Sequence, residues 1–87
     1  MVHHIPIGPE IDLHSFLPRD IASVVNEYLT AAAEAGLREV RIVHGRGRGV
    51  QRGIVQATLE RHPVVVEFWD DLESHLGATR ARLAVKE

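Results

Sequence analysis

Two histidines, an aspartate and an alternation of glycine with arginine supply the residue types from which phosphodiester chemistry can be built. The first pair lies in "IDLH", where Asp12 and His14 stand two residues apart. On a strand that spacing puts both side chains on one face, about 6–7 Å apart. An imidazole titrates near neutral pH and can move a proton; a carboxylate beside it can orient the ring or a water. The second group is "HGRGRGVQRG", residues 44–53. Here His44 is followed by Gly45, Gly47 and Gly49 alternating with Arg46 and Arg48, and Arg52 comes a helical turn later. Glycines let backbone N–H groups approach an anion closely, a helix start adds partial positive charge, and guanidinium forks match phosphate oxygens. The combination reads as a phosphate cradle able to stabilise charge on a reacting phosphate. It is not a nucleotide-binding loop of the common kinds. No Gly-Lys-Ser/Thr ending is present, and Val50 or Arg52 stands where a dinucleotide fingerprint needs its last glycine. A tight turn before a helix would explain the glycines but not the arginines or His44.

These groups need elements to place them. "EIDLH" (10–14) alternates and predicts a strand, with Ile11 and Leu13 opposite Asp12 and His14. Pro18 suits a helix start, and Ile21, Val24, Val25, Tyr28, Leu29 and Ala32 form one apolar stripe that Gly36 ends. "REVRIVH" (38–44) predicts a second strand. "GVQRGIVQATLERH" (49–62) predicts a second helix whose packed side carries Val50, Ile54, Ala57 and Thr58, with Leu59 beside them. His62 precedes Pro63 at the helix stop and is expected to interact with the helix dipole. "VVVEFW" (64–69) is a third strand, with Phe68 and Trp69 as packing groups of which one must face outward. "DDLESHLG" (70–77) is a polar loop that includes His75. "ATRARLAV" (78–85) is a fourth strand with Arg80 and Arg82 on one face and Ala81, Leu83 and Val85 on the other. Residues 1–10, with Pro6, Gly8 and Pro9, read as an extended N-terminal arm that includes His3 and His4; the domain proper is 11–87.

The order β-α-β-α-β-β predicts an α/β two-layer sandwich with a mixed four-stranded sheet. Right-handed crossovers would leave the first strands parallel, with His14 and His44 at one sheet edge. Ligands gather in open α/β sheets beyond that carboxyl edge.

Composition narrows the field. The chain has 87 residues, 45% of them hydrophobic, which fits one domain with a modest core. It contains no cysteine, which removes disulfides and thiolate metal sites and is compatible with the cytoplasm. No apolar run approaches the ~20 residues that cross a bilayer, and the N-terminus lacks the pattern of a signal peptide. No membrane partner is expected. Net charge is −2, yet Arg38, Arg41, Arg46, Arg48 and Arg52 cluster against an acidic segment at Glu67, Asp70, Asp71 and Glu73. A local basic surface on a nearly neutral protein can hold a phosphate backbone.

Four segments together resemble one family. "IDLH" is similar to the Leu-Asp-Leu-His signature of the Smr (small MutS-related) domain, and "VHGRGRGVQR" (43–52) to its His-Gly-x-Gly loop and following helix start. "HPVVVEFWD" (62–70) resembles its His-Pro-x-Val-x-x-Phe segment, and "GATRARL" (77–83) its closing Gly-Ala-Thr strand. The resemblance spans roughly residues 11–85 in order. It departs at Ser15, at Leu17 where a capping Ser or Thr would stand, at Gln51, and at Gly77, which is what remains of a double-glycine approach to the last strand. The resemblance implies a fold like the C-terminal domain of translation initiation factor three, and binding or nicking of DNA or RNA. It matches Asp12 and His14 to the first motif, His44, Gly45 and Gly47 to the second, and Arg52 to the basic residue on the next helix.

The resulting expectation is a nucleic-acid-binding domain with nicking endonuclease activity. Asp12, His14 and His44 are the catalytic candidates. Gly45, Arg46, Gly47, Arg48, Gly49, Arg52, Arg80 and Arg82 are the nucleic-acid-binding ones. Arg80 and Arg82 read equally as an extension of the basic surface or as an ordinary solvated face, and the alternative role for Asp12 is as a partner for one of them. A single carboxylate does not build a two-metal site; the cofactor left open is one loosely held divalent cation, Mg or Mn, at Asp12. Two further readings stand beside this one: a non-catalytic nucleic-acid-binding module, and a protein-interaction domain associating through the open sheet face. A separate protein partner could supply targeting.

Overall fold

A computed structural model describes residues 7–85. The expectations for His3, His4, the rest of the arm's first six residues and the last two residues lie outside that range. The elements are β1 (Glu10–Asp12), a 3-10 turn (Pro18–Asp20), α1 (Ile21–Glu34), β2 (Glu39–Val43), α2 (Val50–Arg61), β3 (Val65–Asp70), a second 3-10 turn (Leu72–Ser74) and β4 (Ala78–Leu83). The sheet order is β1-β2-β4-β3, with β1 and β2 parallel and β4 antiparallel to both of its neighbours. β1, β2 and β3 therefore run the same way, and their carboxyl ends share one rim. The chain steps across the sheet in one direction from β1 to β2 to β3. Two right-handed crossovers taken in that direction put both helices on one face. α1 and α2 pack on each other, and the core between them and the sheet is aliphatic apart from Tyr28.

Local signals explain the helix ends. Leu17 offers no side-chain cap, and the chain makes one 3-10 turn before α1 proper begins. At the other end Gly36 takes φ +85°. Its N–H donates to Ala33 O at 3.1 Å and that of Leu37 to Ala32 O at 3.0 Å, the two bonds of a Schellman stop.

Two expectations are corrected. β1 stops at Asp12 rather than His14, because the chain turns there. The residues just before β1 are tied to the domain: Pro9 O accepts from Arg41 N at 2.7 Å, and Gly8 O accepts from the buried Tyr28 hydroxyl. The packed side of α2 is Val55, Thr58 and Leu59, with Ile54 half-buried, whereas Val50 is 64% exposed and Ala57 is exposed. α2 begins at Val50, so that residue sits at the mouth of the glycine loop and the stripe falls one position later. His62 stands at the end of α2, as expected. It is buried, with Nδ1 accepting from Val64 N and Nε2 bonded to Thr30 Oγ1, both at 3.2 Å.

Candidate nucleic-acid interface at the sheet rim

Asp12 closes β1 with an Asx turn. Its Oδ1 accepts from the His14 backbone N–H at 3.0 Å and lies 2.9 Å from His14 Nδ1. These two bonds, the backbone one foremost, hold the Asp12 carboxyl below its ordinary pKa. A carboxylate accepts only, so Nδ1 carries a proton and Nε2 is left to solvent on a side chain that is 81% exposed. The pair resembles in role the carboxylate–imidazole unit that fixes a catalytic tautomer.

His44 is built differently. It ends β2 on the helix face, 5% exposed. Nδ1 lies 2.9 Å from the Gly45 carbonyl, which can only accept, so Nδ1 carries the proton. Nε2 lies 2.9 Å from Thr79 Oγ1. That hydroxyl accepts from Gln56 Nε2 at 3.2 Å and donates its proton to His44. Gln56 also donates to Asp70 Oδ1 at 3.0 Å, and Arg52 grips Asp70 with two bonds of 2.8 and 2.7 Å. The hydrogen bonds from Arg52 hold the Asp70 carboxyl below its usual pKa, and Gln56 adds to this. One chain of bonds thus joins α2, β3, β4 and the end of β2, and His44 is its last member.

The glycine loop leads from His44 to the start of α2. Gly45, Gly47 and Gly49 have φ of +82°, +37° and +83°, and a Cβ at any of them would meet no atom within 4 Å. The glycines serve backbone conformation rather than packing, and the space above the loop is open. His44 N and Gly45 N share the Gly77 carbonyl at 3.0 and 2.9 Å, which fastens the loop to β4. Residues 44–51 line a concavity of about 400 Å³. No side chain caps the α2 N-terminus behind it. Arg46 and Arg48 are exposed and have no ion-pair partner among the described residues.

The predicted residues therefore share a rim but divide between its two faces. Asp12 pairs in register with Val43 and faces the open side with His14, while His44, the next residue on β2, faces the helices. Arg46 and Arg48 stand free at the loop; Arg52 does not. Arg80 and Arg82 lie on the open face away from the loop, where Glu39 and Asp71 take Arg80 and Glu67 takes Arg82. Arg41 joins them, bonded to Glu10 and Asp71. Asp12 bonds neither Arg80 nor Arg82. Sequence reasoning missed Asp70, Gln56 and Thr79. Their link to His44 depends on strand register, which no local pattern in the chain encodes. No group of three or more His, Asp or Glu among the described residues is placed to hold a metal ion. No described helix is long and apolar enough to cross a membrane.

A parallel β1-β2 pair, a glycine loop at its carboxyl rim and an antiparallel β4 inserted before β3 define a small α/β domain with a rim site. The Smr domain family model matches residues 11–84, and the chain belongs to that family. It is 42% identical over 60 residues to Endonuclease MutS2 of Caldicellulosiruptor saccharolyticus, covering 69% of this chain and 8% of that protein. It is 37% identical over 71 residues to Endonuclease MutS2 of Thermomicrobium roseum, covering 82% of this chain and 9% of that protein. The chain thus spans about a tenth of the length of these curated relatives. Among solved structures it resembles the Smr domain of Thermus thermophilus MutS2, with TM-score 0.82 and 28% identity over 88% of this chain and 99% of that one. It also resembles YdaL, a stand-alone small MutS-related protein from Escherichia coli, with TM-score 0.80 and 26% identity over 90% of this chain and 65% of that one.

Proposed function

We propose that this domain binds nucleic acid through the 44–49 loop and hydrolyses a phosphodiester there, with His14 as the group that moves the proton. The observation that carries the reading is the contrast between the imidazoles: His14 has an oriented ring with a free Nε2, whereas His44 has both nitrogens bonded and is buried. Endonuclease in the names of the MutS2 relatives supports the reaction class. Family and fold alone do not assign an activity; the residues must.

Arg46, Arg48 and the loop N–H groups hold the phosphate and meet the charge that develops on its oxygens. His14 Nε2 takes a proton from the attacking water as the new P–O bond forms. The opposite P–O bond breaks, and the leaving oxygen is protonated from solvent. Asp12 keeps Nδ1–H in place and stabilises the transient imidazolium. His44 positions the loop by tying Gly45 to Thr79. DNA and RNA carry the same phosphodiester and both are substrates to test. A binding module without catalysis is the second reading, favoured by the burial and full bonding of His44, which leave His14 as the exposed one of the two predicted catalytic imidazoles.

The test is cleavage of supercoiled plasmid and of RNA, each with and without Mg or Mn, alongside salt-dependent binding. H14A should lose cleavage and keep binding. R46A/R48A should lose binding, with a shallower salt dependence by roughly two phosphate contacts. Binding by the parent without cleavage under any condition selects the second reading; no salt-dependent binding removes both.

A further inference from the structure

The turn that follows β3 has a feature that the fold itself does not use. His75 and Leu76 are consecutive non-glycine residues with left-handed backbones, at φ +52° and +70°. Side chains disfavour that region because Cβ crowds the following carbonyl. Leu76 is 52% exposed and Leu72, on the same turn, is 88% exposed, so neither leucine is repaid by burial in the core. The turn is nonetheless firmly held. Asp71 accepts from Glu73 N, and Ser74 Oγ donates to Asp71 O and accepts from Ala78 N. The result is a rigid mount presenting two apolar side chains to water.

Its position gives the leucines a use. The next residue, Gly77, is the one whose carbonyl takes both His44 N and Gly45 N. Gly77 also lies beside the Arg46 stem, where a Cβ on it would stand in ordinary contact with Arg46 Cγ at 3.6 Å. The apolar turn and the arginine loop are thus neighbours joined through Gly77. In nucleic acid a phosphate is one sugar away from a base, so a surface with free guanidiniums beside fixed leucines complements a phosphate next to an unstacked base. Apolar wedges of this kind pack against or between bases in proteins that bind distorted duplexes.

We propose that Leu72 and Leu76 form a rest for an unpaired base, which makes the preferred substrate a nucleic acid with a bulged or unstacked nucleotide beside the phosphate at the loop. The proposal rests on the phosphate-binding reading of residues 44–49. It is tested with three otherwise identical duplexes: fully paired, with one bulged nucleotide, and with a bulged abasic sugar. Affinity is read by fluorescence anisotropy for the parent, L72S, L76G and R46A. The parent should prefer the base-bearing bulge over the abasic one by roughly tenfold, the scale of burying one apolar side chain. L72S and L76G should lose that preference while still binding the paired duplex as the parent does. Glycine tolerates the left-handed backbone, so L76G should keep a Tm at or above the parent's. R46A should weaken binding to all three duplexes alike. Equal parental affinity for the base-bearing and abasic bulges, or a preference that survives in both leucine variants, overturns the base rest and leaves the phosphate loop standing. A parent that binds none of the duplexes overturns both.

Discussion

His14 and His44 follow the ends of adjacent parallel strands, yet their surroundings assign them opposite tasks. His14 is exposed with one nitrogen oriented by Asp12, whereas His44 is buried with both nitrogens bonded. The two substitutions should therefore act differently. H14A should leave stability near the parent's, as exposed changes usually do. T79V keeps the shape beside His44 but strands its Nε2 without a donor, which costs about 1–3 kcal/mol; T79S should restore most of it. Denaturant unfolding of the three variants checks both expectations. The contact of Asp12 with His14 was legible in the two-residue spacing. Its closeness was not, because the Asx turn folds the ring back where a continued strand would have held it about two residues' rise away. The bonding of His44 was illegible, since Thr79 and Gln56 reach it only through the antiparallel pairing of β4 with β2.

Among the elements, α2 and its loop carry the site. Gly49 caps α2 in the left-handed region with open space around its Cα. Gly49→Ala should therefore cost about 1–2 kcal/mol through backbone conformation alone and should also weaken nucleic-acid binding by shifting the helix start. Urea unfolding and anisotropy on the same samples measure the two effects. The alternation of glycine and arginine made this loop visible in sequence. The face of α2 was misread by one position because Val50, an apolar residue, serves at the helix mouth and not in the core. The pairing of Arg52 was not legible, because its partner Asp70 stands at the end of β3, eighteen residues on.

Over the whole molecule, charge is divided between the rim and the open sheet face. On that face Arg41, Arg80 and Arg82 are matched by Glu10, Glu39, Glu67 and Asp71, so it presents paired charge rather than a basic surface. The same pairing sets the response to acid. Asp12, Asp70 and Asp71 all have folded pKa values held below normal, by His14, Arg52 and Arg41 respectively. A depressed carboxylate contributes stability that is fully present above its unfolded pKa of about 3.9 and is lost as pH falls through the lower folded value. Stability should thus be level in its carboxylate contribution above about pH 5 and fall steadily below about pH 4. D70N and D71N should each flatten that acid limb in urea unfolding followed against pH. The β-α-β-α-β-β order and mixed sheet were legible from periodicity. The placement of β4 between β2 and β3, which assigns Arg80 and Arg82 to cross-strand carboxylates, was not.

The most direct measurement is an amide NMR titration with a short oligonucleotide at low and high salt. Residues 45–51 should shift at low salt and return at high salt, while Trp69, Arg80 and Arg82 on the open sheet face stay still. Shifts confined to the sheet face, with the loop unmoved, would contradict the account.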